Sequence, residues 1–300
     1  FKDVVVGPDG SAQRIDVFSW VGLIPLFACE IVDQRLLKAS PRFEAVMKAH
    51  RYGLFDGHYV SECPTKTNAR GEHLLALVDA EKMRAILKHL LSENEFLSDY
   101  GVRAVSRIHA ERRDLGVVQG VGRALIEYVP GESNSGLFGG NSNWRGPIWM
   151  PTNYVLVQAI ERYYRFLGDG FKVRVPCLGD REMNLNEISK LISDRLVNIF
   201  RRGADGRIPA LPENSPFQTD PAWKDLLLFN EYFHGENGLG LGAMHQTGWT
   251  GLVANLVQRR YRAGIPSYWR QQQAQPQARG ARHEAPGKPA AFDAIAAQQR

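Results

Sequence analysis

The chain has 300 residues, 44% of them hydrophobic and 23% charged, which provides enough apolar content for a sizeable core and excludes a disordered body. Its formal net charge is +5, of which residues 265–300, with five Lys or Arg against two acidic residues, supply +3. The body is therefore too weakly charged to indicate a nucleic-acid partner. Since the chain has no apolar run of about 18 residues, we expect no membrane partner either.

The predicted elements are mostly helical. Residues 1–17 alternate around the turn Gly7-Pro-Asp-Gly10 and predict a β-hairpin. Apolar residues at helical spacing predict helices over 19–38, 41–50, 152–167, 185–201, 221–229 and 247–262. Asp79 is expected to cap one more helix, and a short strand pair is expected near 117–128. The pattern predicts an all-α domain with minor β-hairpins.

The two ends of the chain differ from its middle. The segment 265–300 is rich in Gln, Ala, Pro and Arg, and we expect it to be disordered because it cannot bury enough apolar surface to offset its ordering entropy. Residues 1–264 are predicted to form a catalytic domain or part of one. The chain begins at Phe1 within a strand pattern, without an initiating Met or a signal peptide. This start suggests a piece of a longer protein.

Cysteine and histidine spacing argues against bound cofactors. Cys29, Cys63 and Cys177 are an odd, widely spaced set without C-x-x-C pairing, which favours a reducing compartment and a cytoplasmic location. The histidines show no metal-ligand spacing. The glycines of 136–140 lack the Lys-Ser/Thr of a phosphate-binding loop. We therefore expect no metal, nucleotide or other cofactor.

Two glycine-rich loops carry aromatic and charged side chains and lead into helices. The first runs from Gly136 to Asn153, and the second from Phe229 to Trp249. The four glycines at 235, 238, 240 and 242 allow positive φ angles and close backbone approach at low steric cost. Aromatic faces stack on the apolar faces of pyranose rings, and Arg and Asn hydrogen-bond to sugar hydroxyls. The two loops therefore favour a sugar-binding rim, with an oligosaccharide or small glycoside as partner.

A family resemblance rests on these loops and on three shorter blocks. The quoted motifs are Val21-Gly-Leu-Ile-Pro-Leu-Phe27, Glu95-Phe-Leu-Ser-Asp-Tyr-Gly101, Asn143-Trp-Arg-Gly-Pro-Ile-Trp149 with Asn153-Tyr154, Phe217-Gln-Thr-Asp220, and Glu231-Tyr-Phe-His-Gly-Glu-Asn-Gly ahead of Thr247-Gly-Trp249. In this order they resemble family 63 glycoside hydrolases, the processing α-glucosidase group, and its large bacterial members most. The resemblance implies a partial (α/α)6 barrel over residues 1–264 and inverting hydrolysis of an α-glycosidic bond, an α-glucosidic bond in particular.

The resemblance also implies roles for individual residues. It makes Glu231 the general base, a carboxylate that must stay ionised to take a proton from water. The implied substrate-binding residues are Trp144, Arg145, Trp149, Asn153, Tyr232, His245 and Trp249. Read from the sequence alone, several of these residues have an ordinary alternative. Glu231 could be a solvated loop carboxylate, the tryptophans could be core residues, Arg145 could form a structural salt bridge, and His245 could be a hydrogen-bonded structural residue.

The second carboxylate of the reaction has no obvious place in the chain. The family's general acid is an Asp in a block upstream of the Val21 motif, and no such block is found; Asp3, Asp9 and Asp16 lie in the predicted hairpin and do not fit it. Glu236 is an in-chain rival to Glu231, and Asp220 is the first in-chain acid to test. A noncatalytic carbohydrate-binding or scaffold role therefore stays open, and we expect residues 1–300 alone to be inactive.

Overall fold

The structure is a computed structural model that describes residues 1–45, 67–111, 113–118, 122–133, 147–245 and 247–261. Residues 1–257 form one compact unit. A second unit begins at Gln258, and the described part of it ends at Tyr261. The predicted disordered tail and its boundary at residue 264 lie outside the described residues.

Two long helices form the centre of the first unit. Met150–Leu167 packs against Leu185–Asn198, and both bury an apolar face at i, i+3 and i+4 spacing. Both agree with the helices predicted over 152–167 and 185–201. The other α-helices in the described ranges are Gln34–Ala39, Ala80–Leu90, Pro216–Thr219, Thr247–Thr250 and Val253–Tyr261. Short 3₁₀ helices lie at Trp20–Phe27, Arg107–His109 and Pro176–Leu178.

The strands of the described residues form antiparallel two-stranded sheets. The pairs are Asp3–Val6 with Ala12–Ile15, Cys29–Val32 with His73–Ala76, Leu97–Ser98 with Gly101–Val102, Arg113–Val118 with Gly122–Ile126, Lys172–Val175 with Arg181–Asn184, and Tyr232–Phe233 with Gly240–Leu241. The hairpin predicted within residues 1–17 and the strand pair predicted near 117–128 are both confirmed. The described part of the chain thus mixes helices with small sheets and forms no closed barrel, so an all-α description is too simple.

Several helix predictions are correct in place and wrong in extent. Asp79 caps its helix as predicted, accepting from the Lys82 N–H at 2.8 Å. The helix predicted over 19–38 is instead a 3₁₀ helix containing Pro25, a strand and a short helix. Pro25 lacks an N–H, and the strand Cys29–Val32 is drawn into pairing by a partner about forty residues away. Residues 41–45 are helical, and the remainder of the helix predicted over 41–50 lies outside the described residues.

The predictions over 221–229 and 247–262 need the larger corrections. Residues 221–225 form turns instead of a helix. The Asp220 carboxylate accepts from the Ala222 N–H at 2.8 Å, as in an Asx-turn, and the helix-like bond from Lys224 to the Asp220 carbonyl is followed by the tighter bond from Leu226 to Trp223. The last helix is divided by a turn at Gly251 and Leu252 into Thr247–Thr250 and Val253–Tyr261.

A backbone ladder joins segments that are distant in sequence. The N–H of Trp20 donates to Ala104 at 2.7 Å, and the N–H of Ala104 donates to Pro147 at 3.1 Å. Ile148 and Phe233 then exchange both hydrogen bonds, at 2.7 and 2.9 Å. This ladder brings the segments around residues 20, 104 and 148 against the first strand of the hairpin that follows Glu231.

The ladder continues on the other side of that hairpin. The Gly240 N–H donates to the Ala210 carbonyl at 2.9 Å. The loop around Ala210 is held by Gln218, whose buried side chain accepts from the Ile208 N–H at 3.0 Å and donates to Ile208 at 2.9 Å and Leu211 at 3.1 Å. The hairpin therefore rests on hydrogen-bonded backbone at both edges, which fixes the position of the residues at its base.

Candidate active site

Glu231 lies at the start of a short hairpin, residues 231–243, which we call the Glu231 hairpin. Its N–H donates to the Ala243 carbonyl at 2.9 Å, and its Oε2 accepts from the Ala243 N–H at 3.3 Å. Its carbonyl accepts from the indole N–H of Trp249 at 3.0 Å. Within the described ranges Oε1 has no hydrogen-bond partner. The partly exposed carboxylate is thus held at one oxygen and open at the other.

Glycines let the hairpin close tightly. Gly242 has φ +67° and Gly238 has φ +73°, which confirms the expectation of positive φ angles at these two positions. A Cβ on Gly242 would lie 2.6 Å from Glu231 Oε2. Gly240 does not have a positive φ; it allows close approach instead, because a Cβ there would lie 2.8 Å from the Ala210 carbonyl oxygen.

Three aromatic side chains line the same end of the hairpin, and we call Trp149, Tyr232 and Trp249 the aromatic wall. The rings of Trp149 and Tyr232 stack with centroids 5.0 Å apart, and Trp249 meets Trp149 edge-on at 5.8 Å. Trp249 is 38% exposed, whereas Tyr232 is 2% and Trp149 9% exposed. The indole N–H of Trp149 is buried without a hydrogen-bond partner among the described residues. Such a donor is costly unless something pairs with it.

Local sequence fixes Trp149 at the junction of strand and helix. Ile148 pairs with Phe233 in the ladder, and Met150 begins the long helix with Pro151 in its first turn. Pro is tolerated there because the first helical N–H groups have no intrahelical partner. Trp149 thus leaves the strand with extended backbone and is placed over Tyr232 by the helix start.

Glu132 is a second carboxylate beside the aromatic wall, and the sequence analysis did not identify it. Its Oε2 accepts from the Tyr232 hydroxyl at 2.7 Å. Burial first, then this hydrogen bond and the charges of Glu132 and Glu231, raise the pKa of the Tyr232 phenol. Tyr232 therefore stays a neutral donor that orients Glu132. In the sequence, Glu132 could have been noticed only by its position in Pro130-Gly-Glu, shortly before the glycine-rich stretch that begins at Gly136.

Glu236, the in-chain rival to Glu231, is engaged in an ion-pair network. Arg103, which is 3% exposed, donates to its two oxygens at 3.1 and 3.3 Å, and the Tyr128 hydroxyl donates to Oε1. Burial opposes ionisation of Glu236, but the Tyr128 hydrogen bond and the charges of Arg103 and Arg107 outweigh it and lower its pKa. These contacts make Glu236 a support of the Glu231 hairpin and a poor candidate for a base.

Asn153 and His245 lie in contrasting places. Asn153 is fully buried; its Oδ1 accepts from the Val102 N–H at 2.8 Å, and its Nδ2 donates to the carbonyls of Val102 at 3.0 Å and Trp149 at 2.9 Å. This geometry gives Asn153 a positioning role, and a direct sugar contact stays a prediction. His245 is exposed and pairs through its backbone with Phe229.

The remaining predicted site residues are not brought together by the described contacts. Trp144 and Arg145 lie outside the described residues, so their proposed sugar contacts stay predictions. Asp220 ends the helix Pro216–Thr219 and its carboxylate accepts from the N–H of Ala222. None of its contacts within the described ranges is with Glu231 or Glu132.

The described residues offer neither a metal site nor a membrane-spanning helix. They contain no group of three or more His, Cys, Asp or Glu side chains arranged to hold a metal ion. None of their helices combines the length and apolarity needed to cross a bilayer. Cys29 is buried and Cys177 partly buried, and both are free thiols.

Comparison with known proteins identifies the class as a glycoside hydrolase. A family model described as the mannosylglycerate hydrolase MGH1-like glycoside hydrolase domain matches residues 73–250, which is more than half of the chain. The chain belongs to this MGH1-like glycoside hydrolase family. The resemblance to family 63 enzymes, first seen in the ordered motifs, is confirmed by this match and by the relatives.

Three curated relatives are similar to the chain. The uncharacterized protein YMR196W of Saccharomyces cerevisiae is 38% identical over 262 residues, which cover 86% of this chain and 24% of that protein. The mannosyl-oligosaccharide glucosidase of S. cerevisiae is 29% identical over 123 residues, or 41% of this chain and 12% of that protein. A probable mannosyl-oligosaccharide glucosidase of Schizosaccharomyces pombe is 23% identical over 184 residues, or 61% and 16%. The chain spans about a quarter or less of the length of these relatives.

Proposed function

We propose that the intact protein carrying this chain hydrolyses α-glycosidic bonds, α-glucosidic bonds in particular, in oligosaccharides or small glycosides, with Glu231 as general base. The observation that carries the proposal is the geometry of Glu231. One carboxylate oxygen accepts from the Ala243 N–H at 3.3 Å, the other has no hydrogen-bond partner in the described ranges, and the Glu231 carbonyl accepts from Trp249 of the aromatic wall at 3.0 Å. An ionised carboxylate in this state can accept a proton from an attacking water.

The proposed reaction inverts the anomeric centre. Glu231 Oε1 takes a proton from water, the water oxygen attacks the anomeric carbon, and the glycosidic bond breaks as a general acid protonates the leaving oxygen. In inverting enzymes the two carboxyl groups stand roughly 6.5 to 9.5 Å apart to leave room for that water. We assign the acid to an Asp outside this chain, and Asp220 is the first residue to test within it.

A closed (α/α)6 barrel in the intact protein is part of the same proposal. The long helices Met150–Leu167 and Leu185–Asn198 each bury one face, and they pack against each other as neighbouring helices of such a barrel do. Residues 1–264 would supply the half of the barrel that carries the base and much of the sugar-contacting rim.

The decisive variant is Glu231→Gln in the intact protein. Gln keeps the size of the side chain but cannot accept a proton, so turnover should fall by a factor on the order of 10² to 10⁴ with the fold retained. Glu182→Gln, at an exposed strand position, is the matched control and should keep full turnover. Substrates are a panel of α-glucosides and α-mannosides, with thermal unfolding measured on each variant.

The same experiment separates the enzyme from its alternative. The anomer released first should have the configuration opposite to that of the substrate, as followed by NMR. Near-normal turnover in Glu231→Gln would remove Glu231 from the mechanism. Sugar binding by the wild-type protein without any turnover across the panel would favour the noncatalytic carbohydrate-binding role.

A further inference from the structure

Glu132 combines exposure with a fixed orientation. Glu132 is exposed to solvent. Its Oε2 accepts a hydrogen bond at 2.7 Å from the hydroxyl of Tyr232, a buried residue that is only 2% exposed. The Tyr232 ring is itself held by stacking on Trp149 at 5.0 Å. A long, exposed Glu side chain ordinarily samples several rotamers, and a buried phenol that holds it restricts this freedom.

The carboxylate retains capacity for a ligand. An ionised carboxylate has about four acceptor positions, and Tyr232 fills one of those on Oε2. Within the described part of the chain Glu132 forms no ion pair, and Oε1 has no hydrogen-bond partner. Such an acceptor suits the paired hydroxyls of a sugar, and hydrogen bonds to an ionised acceptor are about twice as strong as neutral ones.

Two further observations place this acceptor in the proposed site. A Cβ on Gly242 would lie 2.6 Å from Glu231 Oε2 and 2.7 Å from Tyr232 Cε1, and the Tyr232 hydroxyl donates to Glu132, so both carboxylates lie close to the Tyr232 side chain. The Trp149 indole N–H, stacked on the same phenol ring, is buried without a partner among the described residues. Tyr232 thus joins the aromatic wall to an exposed, oriented carboxylate, and a few polar groups beside aromatic rings are typical of a ligand site.

We propose that Glu132 is a substrate-binding residue that accepts hydrogen bonds from sugar hydroxyls beside Glu231 and selects neutral sugars over anionic ones. The selectivity follows because a ligand carboxylate placed near Glu132 and Glu231 would meet like charge. This inference rests on the proposed function, since it takes Glu231 to mark the reacting end of the sugar.

The test compares Glu132→Gln with the matched exposed control Glu111→Gln in the intact protein. Gln keeps an oxygen for the Tyr232 hydroxyl but removes the charge, so the fold and Tyr232 should be undisturbed. For a neutral substrate we expect KM to rise about 5- to 10-fold with kcat changed less than about 3-fold. The ratio of kcat/KM for a neutral disaccharide (kojibiose, nigerose or maltose) to kcat/KM for the anionic α-mannosylglycerate should fall by a similar factor. Glu111→Gln should change neither quantity.

Binding is measured separately from turnover. Calorimetric titration of these four sugars into Glu231→Gln and into the double variant Glu231→Gln/Glu132→Gln needs no catalysis. Weaker binding of a neutral disaccharide to the double variant than to Glu231→Gln would support the role of Glu132. Normal turnover in Glu231→Gln would refute only the assignment of Glu231 as the base and would leave this binding result unaffected.

Three results would overturn the role of Glu132. These are unchanged binding in the double variant, no measurable binding of any neutral disaccharide to Glu231→Gln, and loss of kcat at constant KM in Glu132→Gln. The last result, together with loss of the basic limb of the pH profile, would make Glu132 an acid in the reaction instead of a binding residue.

Discussion

Gly242→Ala offers a way to displace the proposed base without changing its chemistry. A Cβ on Gly242 would lie 2.6 Å from Glu231 Oε2, 2.7 Å from Tyr232 Cε1 and 2.9 Å from Glu231 Cβ. Non-bonded carbon atoms are most stable about 3.5–4.0 Å apart, so the carboxylate must move by about 1 Å. A misplacement of that size in a catalytic group costs about 10²-fold in rate. We therefore expect kcat/KM of Gly242→Ala to fall about 30- to 100-fold.

The backbone effect of this substitution has to be separated from the displacement. At φ +67° an Ala costs about 1–2 kcal/mol in the left-handed region, whatever surrounds it. Gly179 has nearly the same φ, +66°, and a Cβ there would meet no atom within 4 Å. Gly179→Ala is thus a matched control that carries the strain alone. It should lose about 1 kcal/mol of stability after the gain from a less flexible unfolded chain, and it should keep full activity.

The assay is steady-state turnover of the best α-glycoside at a temperature well below the unfolding midpoint of both variants. Unfolding by urea, measured alongside, gives the stability change of each. Wild-type kcat/KM in Gly242→Ala would show that the carboxylate of Glu231 need not occupy its observed place. An equal loss of activity in Gly179→Ala would show that strain, and not displacement, is responsible.

Two further predictions concern stability. Asn153→Ala removes three hydrogen bonds to Val102 and Trp149 and leaves a cavity, so the free energy of unfolding should fall by about 2–4 kcal/mol in urea titrations; a loss below about 1 kcal/mol would contradict the positioning role. Burial opposes ionisation of Glu72, but the bonded Arg165, with its neighbours, lowers the pKa of Glu72 from 4.5 to about 2. Ionised Glu72 should therefore contribute about 3 kcal/mol to the free energy of unfolding above pH 4.5, and this contribution should be lost as the pH falls towards 2. The difference in free energy of unfolding between wild type and Glu72→Gln should shrink over the same pH range.

Much of the local structure could be predicted from the sequence. The long helices, the Asp79 cap and the first hairpin depend on spacing and turn residues within a few positions of each other. Of the four hairpin glycines, Gly238 and Gly242 adopt the positive φ that glycine allows. Gly240 has a different reason, the close approach of Ala210, which lies about thirty residues earlier and leaves no trace in the local pattern.

The missed features depend on distant partners. The strand Cys29–Val32 exists because His73–Ala76 pairs with it, and its apolar residues also suit a helix. The same limit applies to the site. Asn153 stands in a motif that suggests sugar contact, yet its amide is bonded to Val102, 51 residues earlier. Glu132 stands in no recognised motif, and only the hydrogen bond from Tyr232, 100 residues later, draws it to the site.

The recognised motifs hold scaffold residues as well as proposed substrate contacts. Ile148 and Phe233 lie in these motifs and help to place Glu231 through backbone hydrogen bonds, and Gln218 does so through the loop that holds Ala210. Trp20 and Ala104 extend the same ladder through their backbone groups. A scaffold of this kind constrains the base and leaves the rim free to vary. The family match therefore supports the reaction class more strongly than the substrate. Selectivity for one sugar or linkage should be sought in side chains that this scaffold positions, such as Glu132, and in the sequence segment 134–146 that follows it.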